Sequence, residues 1–384
     1  MSDSAALVIV GTGLAGYNLA REFRKLDKTR ELVLISADDG RFYSKPMLST
    51  GFAKGKSAEQ LVMQEAGSMA AELNARIMTD TRIERIDPVS KTLHWQGGQQ
   101  AYGELVLACG AHARALPGAE ALADCLLSIN NLQDYARFRA LLGERQRVLI
   151  IGAGLIGCEF ANDLAAAGIQ VQVVAPDAQV MPGLLPAAVA TAVQSGLESL
   201  GVRFYLGRAV TELQATNAGL EALLDDGQRL QADIGLSAIG LIANTRLAMA
   251  AGLTCGRGIQ VDRHLRSSNP QIYALGDCAE VAGLNLMYVM PLMAAARALA
   301  QTLAGNPTAL NYGPMPVMVK TPACPLVVSP PVTSSEGEWQ VSGSGADISA
   351  QFHDPQGVLH GYALSGSCVA EKLQLNRQLP PWLA

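Results

Sequence analysis

A glycine pattern that occurs twice, each time directly after an apolar strand, constrains the fold of this chain more than any other feature. The first copy follows the apolar run at residues 7–10, and a helical pattern at 17–25 and a second apolar run at 32–36 come after it. This order of strand, glycine turn, helix and strand is typical of a Rossmann-type unit that binds a dinucleotide. The residues of the turn, all predicted to contact that dinucleotide, are Gly11, Thr12, Gly13, Leu14, Ala15 and Gly16.

Each glycine of this pattern has a separate physical role. Gly11 permits the tight turn, Gly13 lets the backbone approach a pyrophosphate, and Gly16 lets the helix pack closely on the strand. The free N–H groups and the positive dipole end of the helix then attract the phosphates.

The second copy lies between apolar runs at 148–151 and 171–174, with a helical stretch that extends to Ala167. Its glycines, predicted to hold a second dinucleotide, are Gly152, Gly154 and Gly157. Two copies in this full context favour two binding sites over two glycine turns that bind nothing. No Lys or Arg occurs from residue 169 to 192, so no cation is expected beside the 2′-phosphate of NADPH, and NADH is favoured.

Neither unit ends its second strand on the acidic residue that usually binds the adenosine ribose. The nearest acids are Asp38 and Asp39 in the first unit and Asp177 in the second. The sequence does not decide which acid contacts a ribose, and Asp177 is equally well explained as a solvated loop residue.

Composition and charge exclude several other classes of protein. Of the 384 residues, 49% are hydrophobic and 16% are charged, which is the range of a folded globular chain. The net charge of −5 gives no reason to expect nucleic acid as a partner. No secretory signal and no apolar run of about 20 residues is visible, so we expect a cytoplasmic protein without membrane insertion. The seven cysteines include no C-x-x-C pair and no metal-ligand spacing, which favours reduced thiols and no metal site.

The remainder of the chain predicts further strands and a small last domain. Apolar stretches at 104–111, 236–240 and 271–277 each contain a glycine near the end. Prolines become dense from about Met315, which suits a linker or edge structure and not a helix. The turn sequence at 354–357 lies between two alternating runs and predicts a β-hairpin.

Together these motifs resemble the pyridine nucleotide–disulfide oxidoreductase superfamily. In that family the A-L-G-D strand end carries an aspartate that binds the ribityl chain of FAD, a role that the resemblance gives to Asp277. The stretch at 104–111 resembles the A-T-G-A element that joins the two domains, with Cys109 in place of Thr. The stretch at 237–244 resembles the G-x-x-P-N exit element, with Ala243 in place of Pro.

The implied fold class is α/β, with two Rossmann-like domains, for FAD and for NAD, and a small C-terminal α+β domain that covers the flavin. The implied FAD-binding domain is discontinuous, at 1–111 and 243–314. The NAD-binding domain is expected at 112–242 and the C-terminal domain at 315–384. That last domain is short for a dimer interface, so we expect a monomer or a weak dimer.

Three runs resemble more closely the bacterial rubredoxin reductases within this superfamily, namely residues 43–49, 154–160 and 319–325. The resemblance implies an enzyme that moves electrons from NADH through FAD to rubredoxin, the iron protein that feeds alkane hydroxylases. Two alternatives remain open. One is an NADH-dependent ferredoxin reductase of an oxygenase system, and the other is a flavin-bearing, redox-regulated binding protein.

The resemblance also implies which side chains surround the flavin. Glu159 approaches the nicotinamide and the flavin edge, and related enzymes pair this glutamate with a lysine, for which Lys45 and Lys320 are candidates. Such an ammonium stabilises negative charge on reduced flavin. A structural role for Glu159, in which it complements the helix dipole, is the alternative. Two further cofactor contacts are implied, at Ile83 through its backbone and at Val289.

The same region lacks the thiols of the disulfide-containing relatives. No cysteine occurs between residues 41 and 50, and Ser44 lies close to the position of the single reactive cysteine of the oxygen-reducing members. Cys278 is expected to be a packing residue. Reduced flavin must therefore deliver its electrons to an external acceptor. Rubredoxins and ferredoxins are acidic, so a local basic surface near the flavin is expected, and its candidates are Arg41, Lys45, Lys54, Lys56 and Arg297.

Overall fold

The computed structural model describes residues 6–217, 219–332 and 336–383, so the first five residues of the predicted FAD domain lie outside it. A parallel five-stranded sheet, here called the first sheet, carries the first glycine turn. In spatial order its strands are Ile272–Ala274, Glu104–Leu107, Leu7–Val10, Leu32–Ile35 and Arg76–Met78.

The central strand of the first sheet is buried on both faces, which explains its uninterrupted apolar sequence. The helix after the glycine turn, Leu14–Leu26, is called the first dinucleotide helix. It contacts the helix Val289–Leu303, and both bury apolar side chains in one core with the sheet. This core joins the start of the chain to residues 248–315.

The second sheet is also parallel and five-stranded, and it carries the second glycine turn. Its strands, in spatial order, are Leu126–Leu127, Ile234–Ser237, Arg147–Ile151, Gln170–Ala175 and Arg203–Leu206. The helix Leu155–Ala166, called the second dinucleotide helix, follows the turn. Two further helices, Leu132–Leu142 and Ala187–Ser199, complete this unit.

The third sheet is antiparallel and lies near the end of the chain. Its strands are Val317–Val319, Leu326–Ser329, Leu359–Ser365, Asp347–His353 and Glu338–Ser344. The hairpin predicted around 354–357 is confirmed, because Asp347–His353 pairs with Leu359–Ser365 across that turn. One face of the third sheet packs on Ala187–Ser199 and shares a core with the second sheet.

Smaller elements complete the description. A ribbon of Ala111–Ala113 and Leu241–Ala243 links the two parallel units. The remaining strands are Phe42–Tyr43, Val62–Gln64, Arg85–Asp87, Thr92–Trp95, Gly98–Ala101, Val210–Thr216, Gly219–Leu224, Arg229–Ala232, Ile259–Val261 and Ala279–Val281. The remaining helices are Ala58–Leu61, Ala66–Leu73, Arg246–Ala250 and Lys372–Asn376, with 3₁₀ turns at Lys45–Thr50, Glu120–Leu122, Gly276–Cys278 and Gly366–Glu371.

The predicted α/β fold class is confirmed, whereas three predicted strands are shorter than expected. The stretch at 104–111 leaves the sheet after Leu107, and the stretch at 271–277 leaves it after Ala274. In both cases the chain turns through a glycine with positive φ, Gly110 or Gly276. In the stretch at 236–240, the strand ends at Ser237. The proline-dense segment forms one edge strand, Val317–Val319, but its next strand lies inside the third sheet.

The domain boundaries stay predictions. The boundaries at 111/112 and 242/243 each fall within a strand of the linking ribbon, in which Ala111 pairs with Ala243. Among the described residues, no helix is both long and apolar enough to cross a membrane.

Candidate active site

The first glycine turn has the geometry that a pyrophosphate requires. Gly11 has φ +117°, and a Cβ there would lie 2.2 Å from the carbonyl oxygen of Ala108. A Cβ on Gly16 would lie 1.9 Å from the Gly11 carbonyl oxygen, so strand and helix touch at this point. Gly13, by contrast, faces open space within 4 Å, and no side chain caps the helix that it begins. The N–H groups of that helix therefore face the space where phosphates would lie.

The second glycine turn repeats this geometry. Gly152 has φ +112°, and its Cβ would meet the Ala238 carbonyl oxygen at 2.5 Å. A Cβ on Gly157 would lie 2.0 Å from the Gly152 carbonyl oxygen, while Gly154 again faces open space. The second dinucleotide helix also begins without a side-chain cap. Both turns thus fit a dinucleotide pyrophosphate by the same test, although binding by the individual residues stays a prediction.

Lys45 and Asp277 form an ion pair that connects the Lys45–Thr50 turn with the Gly276–Cys278 turn. The Lys45 Nζ atom lies 3.8 Å from Asp277 Oδ2. Burial raises the pKa of Asp277, and the nearby Lys45 ammonium opposes this. Burial lowers the pKa of Lys45, and the charges of Asp277 and Asp134 oppose that shift. A Cβ on Gly276 would lie 2.8 Å from the Ala15 Cβ, so this pair lies beside the first glycine turn.

Glu159 and Lys320 form a second, shorter ion pair. Lys320 Nζ lies 2.6 Å from Glu159 Oε2, and the Lys320 backbone N–H donates to Glu159 Oε1 at 3.0 Å. The Glu159 side chain is only 4% exposed and that of Lys320 is 26% exposed. Of the two lysines that the sequence offered as partners for Glu159, the structure therefore pairs Lys320 with it and pairs Lys45 with Asp277.

The second dinucleotide helix carries two more buried polar side chains that sequence reasoning missed. Asn162 Oδ1 accepts the Ala323 N–H at 3.1 Å. The Asp163 carboxylate accepts the N–H groups of Phe52 and Ala53 at 2.9 and 3.0 Å. Burial raises the pKa of Asp163, and these two hydrogen bonds oppose the shift. The helix is thereby hydrogen-bonded to two segments that are distant in sequence, one at Phe52 and Ala53 and the other at Ala323.

A sequence signal for these contacts did exist. Glu159, Asn162 and Asp163 recur at helical spacing within a helix whose neighbouring residues are apolar. Such a polar stripe on a buried helix needs hydrogen-bond partners. The partners themselves lie more than 100 residues away in sequence, at Ser49, Phe52 and Ala323, and no pattern in the sequence identifies them.

The structure distinguishes the acids near the first glycine turn. The Thr12 hydroxyl donates to Ser36 Oγ at 2.7 Å and lies 3.4 Å from Asp38 Oδ1. Asp39 instead forms an ion pair with Arg41, in which Arg41 Nη2 lies 2.7 Å from Asp39 Oδ2. Asp38 is therefore the acid adjacent to the first turn. Asp177 is exposed beyond the end of Gln170–Ala175.

The two remaining predicted cofactor contacts, Ile83 and Val289, lie in different environments. Ile83 is buried in the first core, so that any contact with a ligand would come from its backbone. Val289 begins the helix Val289–Leu303 and is 42% exposed. Neither residue belongs to one of the two ion pairs, and their roles stay predictions.

The cysteines near the site have little thiolate character. Burial raises the pKa of Cys278 to about 12, and it raises the pKa of Cys109 as well. On the second dinucleotide helix, burial raises the pKa of Cys158 to about 12. These thiols stay protonated at neutral pH and are poor nucleophiles.

The basic residues expected near the flavin lie in different environments. Lys54 is exposed and Lys56 is half-buried, whereas Arg41 is paired with Asp39. Arg297 lines a surface depression with Glu22 and Lys25, in the second half of the first dinucleotide helix, and its place near the flavin stays a prediction. This depression lies roughly 12 Å along the helix from the glycine turn.

Two parallel sheets with matching glycine turns, and a buried ion pair beside the second, define an oxidoreductase with two dinucleotide sites. The chain belongs to the family of pyridine nucleotide-disulphide oxidoreductases, whose sequence profile matches residues 5–301. A second profile, described as a rubredoxin binding C-terminal domain, matches residues 309–379. The family and its neighbours depend on FAD and NAD(H), as the sequence predicts.

Known proteins resemble the chain over nearly its whole length. It is 48% identical to the rubredoxin-NAD(+) reductase of Alcanivorax borkumensis, over 97% of this chain and 98% of that protein. It is 43% identical to the rubredoxin-NAD(+) reductase of Acinetobacter baylyi, over 97% and 98%. Among solved structures, a covalent putidaredoxin reductase–putidaredoxin complex matches with TM-score 0.89 and 26% identity, over 98% of this chain and 94% of the other.

Proposed function

We propose that this protein takes electrons from NADH at the second glycine turn, passes them through FAD at the first, and delivers them to rubredoxin. The observation that carries the proposal is the position of Lys320. This lysine belongs to the region matched by the rubredoxin-binding profile, yet it pairs with Glu159 on the second dinucleotide helix. The C-terminal unit therefore meets the NADH-binding unit at a charged contact.

The geometry supports the following proposed roles for individual residues. Bound FAD would supply a centre that accepts two electrons together and releases them singly. The first glycine turn would hold its pyrophosphate, and the Asp277 carboxylate would accept a hydrogen bond from its ribityl chain. The Lys320 ammonium would stabilise negative charge on the reduced ring, while Glu159 holds that ammonium in place. Lys45 would contribute a second positive charge.

We expect no thiol near the first glycine turn to serve as the next electron acceptor. The Lys45–Thr50 turn contains no cysteine, and Cys278 and Cys158 are buried with a raised pKa. A diffusible acceptor is consequently part of the proposal. In the organism this acceptor would be a rubredoxin that supplies an alkane hydroxylase.

A surface for that acceptor lies close to Lys320. Met318 and Leu373 are 64% and 66% exposed, and the Lys372 ammonium lies 3.6 Å from the Met318 sulfur. We call Met318, Lys372 and Leu373 the Met318 patch. An apolar patch with a lysine suits a small acidic protein that docks transiently. Met318 lies two residues before Lys320 in the chain, in the edge strand Val317–Val319 of the third sheet.

The proposed function is tested by NADH-dependent bleaching of rubredoxin, with a [2Fe–2S] ferredoxin assayed in parallel. We expect a higher kcat/KM for rubredoxin than for ferredoxin. Lys372→Glu should lower that value by about three- to tenfold at low salt, with less effect at high salt. Lys91→Glu is the control and should have no effect, because Lys91 is half-buried, as Lys372 is, and lies in the turn between Arg85–Asp87 and Thr92–Trp95.

One observation favours a second acceptor class. The structural neighbour with TM-score 0.89 is described in complex with putidaredoxin. Faster bleaching of ferredoxin than of rubredoxin would assign this chain to a ferredoxin-dependent oxygenase system. Very slow NADH oxidation with either acceptor would favour the flavin-bearing binding protein. We further propose a monomer or weak dimer, which sedimentation at several concentrations would test.

A further inference from the structure

A serine in the Lys45–Thr50 turn contacts the Glu159–Lys320 pair. Ser49 Oγ donates to Glu159 Oε2 at 2.7 Å, and both side chains are buried. The same oxygen accepts the Lys320 ammonium at 2.6 Å, and the other carboxylate oxygen accepts the Lys320 backbone N–H. The Glu159 carboxylate is therefore held by donors from two separate segments of the chain.

The Ser49 hydroxyl has one proton and two acceptors within reach. The Pro46 carbonyl oxygen lies at 3.2 Å and the Glu159 carboxylate at 2.7 Å. A charged acceptor at the shorter distance forms the stronger hydrogen bond. The proton is therefore directed to Glu159.

The position of Ser49 links the two ion pairs of the site. Ser49 lies four residues after Lys45, on the same 3₁₀ turn. Lys45 contacts Asp277 at one end of this turn, and Ser49 contacts Glu159 at the other. One short segment thereby spans from the first glycine turn to the second dinucleotide helix.

We propose that Ser49 is a positioning residue for flavin reduction. Its hydroxyl fixes Glu159 Oε2, and through that oxygen it fixes the Lys320 ammonium. Without the hydroxyl, the carboxylate has one donor fewer and can rotate, and the ammonium moves with it. A displacement of about 1 Å at a reacting centre is enough to slow a reaction substantially. This inference rests on the proposed role of Glu159 and Lys320 beside the flavin.

The test uses the FAD-loaded protein and anaerobic stopped-flow reduction by NADH over a range of concentrations. Ser49→Ala should lower the limiting rate of flavin reduction by about tenfold, with the apparent Kd for NADH unchanged within about twofold. Ser49→Thr keeps the hydroxyl and should restore most of the rate. If the alanine variant fails to retain FAD, Ser49→Cys takes its place in the test, because the cysteine fills the same space with a weaker hydrogen-bond donor.

Thr50→Ala is a matched control. Thr50 lies on the same turn, but its hydroxyl donates to the Met47 carbonyl oxygen at 3.0 Å and the structure records no bond from it to Glu159. Thr50→Ala should leave the rate and the flavin spectrum unchanged. A loss equal to that of Ser49→Ala would mean that any hydroxyl of this turn matters only for folding, and it would overturn the proposal.

A double-mutant cycle with Glu159→Gln separates this proposal from the role of Glu159 itself. If Ser49 acts through Glu159, Ser49→Ala should cost less than about twofold in the Glu159→Gln background. The same tenfold loss in both backgrounds would overturn the proposal. If Glu159→Gln is slow and Ser49→Ala is unaffected, the proposed role of Ser49 is overturned and that of Glu159 stands. An unaffected Glu159→Gln variant would instead remove the proposed role of Glu159.

Discussion

At the scale of single residues, the Glu159 carboxylate is notable because it is buried and yet charged. Burial of a carboxylate is costly unless cations and hydrogen-bond donors surround it. Here Lys320 supplies both an ammonium and a backbone N–H, and Ser49 supplies a hydroxyl. A site that maintains this arrangement has a negative and a positive charge at fixed positions beside the second glycine turn.

Removal of the cation should therefore destabilise the protein. We expect Lys320→Met to lower the free energy of unfolding by about 1–3 kcal/mol, because the buried carboxylate keeps only neutral donors. Glu159→Gln combined with Lys320→Met should recover part of this loss, since the uncompensated charge is gone. Urea denaturation of both variants measures the two changes. If the losses of the single variants simply add in the double variant, the coupling between them is absent.

The glycines of one turn should differ in what they tolerate. Gly154→Ala should fold and retain FAD, because its methyl group would enter open space. That space is where we expect the NADH phosphates, so its KM for NADH should rise about tenfold or more. Gly152→Ala should be unstable, because its Cβ meets the Ala238 carbonyl oxygen at 2.5 Å. NADH titration and thermal melts distinguish these outcomes, and an unchanged KM for Gly154→Ala would contradict the predicted binding mode.

The buried thiols should be nearly inert at neutral pH. Because burial raises the pKa of Cys278 to about 12, this thiol is protonated at pH 8 and its thiolate fraction is very small. Its alkylation by iodoacetamide should be slow at pH 8, because the side chain is fully buried as well as protonated. Peptide mass spectrometry measures this rate. Rapid labelling of Cys278 at pH 8, with loss of NADH oxidation, would indicate a reactive thiol beside the flavin.

At the scale of elements, the second dinucleotide helix connects all three units. Its first turn faces the predicted NADH phosphates, and Glu159 contacts both Ser49 and Lys320. Asp163 then accepts two N–H groups at the end of the Lys45–Thr50 turn. The helix thus determines where both lysine-bearing segments lie.

Asp163 should give this contact a characteristic pH dependence. Because burial raises its pKa in the folded protein, the folded state binds the proton more tightly than the unfolded state does. Stability from this group therefore increases as the pH falls from the raised pKa towards the ordinary value of about 3.9. Relative to Asp163→Asn, which does not titrate, the wild type should gain stability over that interval. Chemical denaturation at several pH values measures the difference, and an opposite slope would contradict the account.

The sequence predicted most of the elements but few of the contacts between them. Both glycine turns, their helices and the hairpin after Asp347–His353 follow from local patterns with a known period. The lysine that pairs with Glu159 could not be predicted from local patterns, because Lys45 and Lys320 both fit the family pattern. Only the packing of the third sheet decides that Lys320 is the partner. Ser49 and Asp163 were missed because their partners are remote in sequence. The surroundings of Arg297 could not be predicted either, since they depend on how the helix Val289–Leu303 packs on its neighbour.

At the scale of the whole molecule, the C-terminal unit is not an isolated module. Its sheet shares a core with the second sheet, and a Cβ on Gly196 would lie 2.7 Å from the Cys324 Cβ. This close packing positions Lys320 against Glu159 and leaves the Met318 patch exposed. The unit that we propose as the rubredoxin contact is therefore built directly onto the unit that we propose as the NADH site.

The most direct test of the central claim is a double-mixing anaerobic stopped-flow experiment on the FAD-loaded protein. The flavin is first reduced with one equivalent of NADH and is then mixed with oxidised rubredoxin or with a [2Fe–2S] ferredoxin. We predict rapid bleaching of the flavin by NADH, followed by its reoxidation as rubredoxin is reduced, with ferredoxin much slower. A flavin that NADH does not reduce, or a reduced flavin that rubredoxin does not reoxidise, would contradict the proposed electron path.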